Sequence, residues 1–315
     1  KVCSNINPYL VDAPNLVVEG KREPRKDSAP MLFGNMPRDG GHLIVSREQK
    51  TGEGRDDPIF QSYLRPFFGS EDFIRGKTRY CLWIEQSEYE ESLHSSLIAR
   101  RLEAVRLMRL ESKAASTREF AKVPYRFVQI QGTARQSTLI VPRVSSERRP
   151  YLPVGLLDKT AVIADSAFAL YDAPLWNMAV IASRLHLVWV AAICGKLKTD
   201  YRYSNTLGWN TFPSPRLTET NKTDLCEAAN QILLAREHYY PSTIGDMYDP
   251  DHFDTHFPLL REAHDRNDEI MERIYIGKRF KNDTERLEKL FALYAQEQKG
   301  DFHLKDASMS TRRRG

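Results

Sequence analysis

Asn210-Thr211-Phe212-Pro213-Ser214-Pro215 divides the chain into two kinds of sequence. Proline fixes φ and has no N–H to give to a ladder or a helix, so two prolines around one serine stop regular structure. Upstream, short apolar runs such as Leu16-Val17-Val18 and His42-Leu43-Ile44-Val45 are punctuated by Pro24, Pro30, Pro37, Gly40, Gly41 and Gly52. That pattern predicts short strands joined by turns. Further strands are expected at 79–84, 126–131, 138–144, 161–164 and 167–171. One helix is expected over 95–113. A second, apolar on nearly every side, is expected over 174–197, with Trp176, Met178 and Trp189 as packing residues. Downstream the apolar spacing turns helical: Leu225, Ala229, Ile232 and Leu233, then Leu260, Ala263, Ile270 and Met271, then Leu287, Leu290, Phe291 and Tyr294 behind a cap at Asn282 or Asp283. The expected fold is α+β: a mixed α/β domain over 1–215, a small all-α helical bundle over 216–299, and a disordered tail over 300–315.

Composition narrows the class. Of 315 residues, 41% are hydrophobic and 28% charged, enough apolar surface for a sizeable core. Cys3, Cys81, Cys194 and Cys226 lie far apart with no C-x-x-C pair. A disulfide scaffold and a zinc ribbon are therefore not expected, and a cytoplasmic location is. The first residues open no apolar signal segment. The eight apolar residues Leu187 to Cys194 fall far short of the roughly 20 that cross a bilayer.

Charge is unevenly placed. The chain carries 46 basic and 42 acidic residues, yet Ile98 to Arg149 holds twelve Lys or Arg against four acids. Ten of the twelve are Arg, the side chain suited to bidentate contacts with phosphate and guanine. Arg106, Arg109 and Lys113, at i, i+3 and i+7, are expected on one helix face. A basic tract in an otherwise balanced chain is the footprint of a polyanion binder, or else a solvated face laced with ion pairs.

Catalytic signatures are missing. No G-x-G-x-x-G, F-x-G-x-G or P-loop pattern occurs, and Asn5-Ile6-Asn7-Pro8-Tyr9 lacks the second proline of an N-P-P-Y loop. Asp39 with Glu48-Gln49-Lys50 is a weak candidate for a metal-dependent nuclease. His252 and His256 have zinc-ligand spacing, but Phe253 stands where a metalloprotease has glutamate, so these and His264 read as structural or surface groups. No metal site is expected.

Eight segments taken in order carry a family resemblance. They are Ile6-Asn7-Pro8-Tyr9-Leu10, Gly41-His42-Leu43-Ile44, Arg79-Tyr80-Cys81-Leu82-Trp83 and Val144-Ser145-Ser146-Glu147-Arg148-Arg149. They continue with His186-Leu187-Val188-Trp189, Tyr201-Arg202-Tyr203-Ser204, Asn210-Thr211-Phe212-Pro213 and Met247-Tyr248-Asp249-Pro250. Over roughly 5–297 the chain resembles the C-terminal part of MmeI-like, type IIL restriction-modification enzymes. The resemblance implies a target recognition domain followed by a helical C-terminal region. It also implies that nuclease and adenine-N6 methyltransferase domains, with S-adenosylmethionine and Mg²⁺, belong to a parent enzyme and not to this chain. The chain alone is then expected to be inactive, with double-stranded DNA and a catalytic domain as partners and no cofactor of its own. Methylating adenine N6 requires extruding the base; this part would grip the flanking duplex.

Lys198-Thr199-Asp200-Tyr201-Arg202 places guanine- and cytosine-reading chemistry in one short stretch, since Lys or Arg reads guanine and Asp accepts from cytosine N4. If extended, Lys198, Asp200 and Arg202 point the same way. Residue chemistry alone favours a solvated turn closed by a Lys–Asp pair. The resemblance reverses that, and implies specificity residues here, at Arg143 to Arg149 and at Asp165-Ser166. Phosphate contacts are expected from Arg100, Arg101, Arg106, Arg109 and Lys113, with hydroxyls from Ser145 and Ser146. Arg148 and Arg149 suit either role. The rival readings are a free-standing nuclease built on Asp39, Glu48 and Lys50, and a protein-interaction scaffold built on the helical bundle.

Overall fold

In the computed structural model, the described residues are 5–25 and 27–312, with side chains described only up to Lys299. Three small sheets carry the first two thirds. One is ordered β1 (Leu32–Phe33), β9 (Ala167–Tyr171), β5 (Ser137–Pro142) and β7 (Gly155–Asp158), antiparallel throughout. A second is ordered β2 (Ile44–Ser46), β4 (Arg79–Leu82), β3 (Leu64–Phe68) and β8 (Val162–Ile163), and only its β3–β8 pairing is parallel. The third is ordered β10 (Gly195–Leu197), β11 (Asp200–Arg202) and β6 (Val144–Ser145).

Helix α1 (Ser96–Leu110) lays Leu97, Ile98, Leu102 and Val105 on the second sheet, against Leu43, Val45, Cys81 and Leu82. The expected helix over 174–197 is two helices, α2 (Trp176–Ile181) and α3 (Arg184–Ile193). Ser183 separates them: its backbone is extended and its hydroxyl accepts from His186 N at 3.2 Å, an N-cap that restarts the helix.

After Pro215 the chain is helical, and no strand follows among the described residues. The long elements are α4 (Glu219–His238), α5 (Pro258–Ile276) and α6 (Asp283–Arg312). Gly277, at φ +76°, closes α5 in the left-handed conformation that glycine adopts without strain. These helices share one apolar core with α2, α3 and the inner face of the first sheet, running from Val11 through Trp189 to Leu290 and Phe291. The disordered tail expected over 300–315 lies outside the described side chains, as does Cys3. Cys81, Cys194 and Cys226 are free thiols.

Two expected strands do not form. At 126–131 one carbonyl, that of Arg126, is taken by the Arg109 guanidinium, and Gln129 makes a single bridge with Met36. At Leu16-Val17-Val18 the backbone turns to side chains, Val18 N bonding the Tyr9 hydroxyl at 2.9 Å. Conversely, β3 forms despite Pro66. Its pairing with β8 begins only at Phe67, so Pro66 sits where one side of the strand has no neighbour.

Candidate nucleic-acid interface

The Lys198–Arg202 stretch is neither extended throughout nor a simple turn, but the tip and second strand of a β-hairpin. Leu197 pairs with Asp200, leaving Lys198 and Thr199 as a two-residue turn. Such turns need positive φ at the first central residue, and Lys198 has φ +58°. A lysine there is unusual, because its Cβ crowds the backbone in the left-handed region. The pleat divides the hairpin by faces. Lys196, Tyr201 and Ser145 are cross-strand neighbours on one face; Leu197, Asp200, Arg202 and Val144 share the other. Asp200 and Arg202 therefore do lie side by side, while Lys198 stands at the tip, beyond the ladder.

The hairpin is anchored from below. Tyr203 N donates to Arg143 O at 2.8 Å, continuing the pairing with β6. The Tyr203 hydroxyl lies 2.7 Å from His186 Nε2, both groups fully buried. Burial drives the His186 imidazole down to about 3, so the ring stays neutral and works as a fixed polar anchor. On the outer side Lys196 Nζ meets Glu147 at 2.6 Å.

The 143–149 segment joins this surface through β6. Arg149 approaches Ser145 Oγ at 3.4 Å; burial lowers its pKa while Asp200 and Asp249 oppose that. Arg148 is exposed and bound to Asp251 at 2.8 and 3.0 Å. Arg143 runs to the first sheet, donating to Asp165 O at 2.6 Å, with its guanidinium 4.7 Å from the Phe33 ring centroid. Ser70 connects the same pieces: its hydroxyl accepts from Arg143 N at 3.1 Å and donates to Ser166 O. The structure thus gathers Arg143, Ser145, Ser146, Arg148, Arg149, Asp165, Ser166, Asp200 and Arg202 around one connected framework, with Lys198 at its tip. Ser145 is 3% exposed, so its hydroxyl is turned inward rather than free for phosphate.

The C-terminal helices hold the rear of this framework. Tyr151 stacks on His264 at 4.0 Å and donates to Asp268 at 2.8 Å. Arg184 Nη1 donates to Pro150 O at 3.1 Å, and Arg236 Nη1 to Val154 O at 2.6 Å. Asp268, buried beneath Tyr151, has its carboxyl pushed up to about 7 by desolvation. No periodicity pointed to His186, Tyr203 or Asp268; buried polar pairs leave no pattern in a single sequence.

The basic helix behaves differently from its sequence reading. Arg109 is completely buried. Its guanidinium donates to five carbonyls, those of Pro37, Arg38, Phe120, Val123 and Arg126, at 2.8–3.1 Å. Desolvation lowers its pKa to about 10. Arg101, 7% exposed, bonds His42 O at 2.9 Å and Glu53 at 3.2 Å. Neither is available to a phosphate, which corrects the expectation for both. Arg106 pairs with Glu103 at 2.7 and 2.8 Å, and Arg100 with Glu53 at 2.9 Å, both on the surface. Lys113 is exposed but lies past the end of α1, so no single basic stripe forms through 106, 109 and 113.

The nuclease candidate is not assembled. Asp39 is buried and accepts from Leu43 N at 2.6 Å, while Glu48 and Lys50 belong to an exposed turn of helix whose lysine stands 4.0 Å over the Tyr80 ring. Among the described residues no group of three or more His, Cys, Asp or Glu is placed to hold a metal ion.

Residues 12–216 match the MmeI target recognition domain and residues 217–300 the MmeI C-terminal domain. The chain belongs to the MmeI family, as its target recognition region followed by its C-terminal region. It is 38% identical over 297 residues to DNA methyltransferase A of Bacillus subtilis (strain 168), an alignment covering 94% of this chain and 33% of that protein. It superposes on the type IIL restriction-modification enzyme MmeI in complex with DNA with a TM-score of 0.86 at 30% identity, over 94% of this chain and 39% of that one. The chain thus spans about a third of the length of the curated relative it matches.

Proposed function

We propose that this chain is the double-stranded DNA recognition region of an S-adenosylmethionine-dependent DNA (adenine-N6) methyltransferase of a restriction-modification system. In this reading it positions the target adenine for a catalytic domain supplied upstream in the same polypeptide or by a separate chain, and it works in the cytoplasm. One observation carries the reading: the hairpin over Gly195–Arg202, β6 and the turn at Asp165-Ser166 form one framework that presents Lys198, Asp200, Arg202, Arg143 and Arg149, the residue types that read base edges in the major groove. Exposed Arg100 and Lys113, with half-buried Arg106, supply positioning contacts to phosphates. Among the described residues, no helix is long and apolar enough to cross a membrane.

The residues present do not fit the methyl donor. The pairings are antiparallel apart from the short β3–β8 ladder and one bridge, Asn35 to Ala164. The turn after β3, at Gly69, is filled by Ser166, whose hydroxyl would lie 2.3 Å from a Cβ there. Among the described residues, no glycine-rich cradle for S-adenosylmethionine is left. The donor, and Mg²⁺ for a nuclease, are assigned to other domains of the parent enzyme, and this chain's part is to bind and orient the duplex.

The test is selection of duplexes from a randomised pool by the purified chain, repeated across salt concentrations. A single enriched motif, with affinity falling linearly in log salt, supports the reading. Salt-sensitive binding without any enriched motif would overturn it.

A further inference from the structure

Phe33 is a large aromatic left 42% exposed on the two-residue edge strand β1. It packs on Phe168 with ring centroids 5.0 Å apart, and Arg143 covers it from outside. The Arg143 guanidinium sits 4.7 Å from the Phe33 centroid and 5.6 Å from that of Phe168, and its Nη1 donates to Asp165 O at 2.6 Å. Among the described residues, the Arg143 guanidinium is met by a carbonyl and by aromatic rings and by no carboxylate. Its direction is set by one carbonyl and two ring faces, the nearer being that of Phe33. Among the described residues, the other guanidinium N–H groups meet no protein acceptor and the charge is not neutralised, the state a base-reading arginine needs. An unbuttressed arginine would sample many rotamers and lose discrimination by the entropy of ordering.

We propose that Phe33 is a positioning residue for base readout: its exposed ring holds the Arg143 guanidinium in the orientation that meets one base pair. This rests on the reading of the surrounding surface as the DNA-recognition face. It gives a use to the part of the ring, 42% of the residue, that stays exposed at the edge of the first sheet. Ser70 supports the same arrangement from the backbone side, through its bonds to Arg143 N and Ser166 O.

The experiment measures Kd of the full chain for the best duplex from the randomised pool and for every single-base-pair substitution of it. Arg143→Ala identifies the base pair that Arg143 reads, where discrimination should fall by about 5–150-fold. Phe33→Leu keeps an apolar contact with Phe168 but offers no ring face. It should lower discrimination at that same base pair by at least about fivefold, leave the other pairs unchanged and leave the thermal midpoint in place. Phe33→Tyr should restore the unchanged chain's value. The proposal is overturned if Phe33→Leu keeps full discrimination at the Arg143 base pair, or weakens every sequence equally. If Arg143→Ala itself alters no base pair, the recognition role of Arg143 falls first, and the two failures are distinguished by that control.

Discussion

Arg109 and Arg202 stand in the same family of sequence signals, basic residues in a chain that matches a DNA-recognition family, and the fold uses them in opposite ways. Arg109 is buried on α1, where it spans five carbonyls, two at Pro37 and Arg38 and three in the segment 120–126 that follows the helix. Arg202 stands on the open face of a hairpin, beside Asp200 and across from Val144. The helix carries more arginines, but ion pairs and carbonyls consume most of them. The hairpin carries few charges, and its framework leaves them outward. What distinguishes the proposed reading surface from a basic tract is therefore the supporting structure rather than the count of charges.

The largest effect expected from this contrast is at Arg109. Arg109→Ala leaves several buried carbonyls without a donor, each costing about 1 kcal/mol or more, and should destabilise the fold by about 3–5 kcal/mol in denaturant unfolding. Arg109→Lys should recover little, because a single ammonium cannot span five acceptors. A stable Arg109→Ala chain with weakened DNA binding would reverse the assignment.

Acid should act on the anchor beneath the hairpin. His186 takes up a proton near pH 6.5 when unfolded but only near 3 when folded, so its contribution is complete above 6.5 and is lost as pH falls toward 3. Asp268 has the opposite sign. Its folded value of about 7 lies above its unfolded one, so its contribution is complete at low pH and is lost as pH rises through 7. Asp268→Asn should therefore make stability rise more steeply with pH between about 4 and 7, by up to ~1.4 kcal/mol per pH unit at the steepest point. An unchanged slope in urea midpoints across that range would show that this carboxyl titrates normally.

The smallest effect is expected from the surface of α1. Arg106→Ala should weaken binding to all duplexes about equally and lower the salt slope by roughly one, with no change of preferred sequence. A shift in preference at one base pair would move Arg106 from phosphate contact to readout.

Much of the architecture was legible in the sequence. The Pro213-Ser214-Pro215 boundary, the helical periods beyond it and the strands at Arg79–Leu82 and Ala167–Tyr171 follow from backbone chemistry and apolar spacing. A turn near Lys198 was one reading the residues allowed, but the hairpin was not legible, because a two-residue turn is usually announced by Gly or Asn, and here Lys198 takes the left-handed position. The burial of Arg101 and Arg109 was equally hidden: charge counts see a guanidinium, and only the tertiary fold brings loop carbonyls around it. For the candidate site, residue types and family resemblance located the segments, while Phe33 and Ser70 emerged only from three-dimensional contact.

The most direct test of the account is the motif selected from a randomised duplex pool by the unchanged chain and by the variant carrying Lys198→Glu with Asp200→Arg. If the hairpin reads the duplex, the two motifs differ in the preferred base at one position and agree elsewhere, since each good base contact is worth about 1–3 kcal/mol. Identical motifs from the two chains would place Lys198 and Asp200 outside the reading surface and contradict the account.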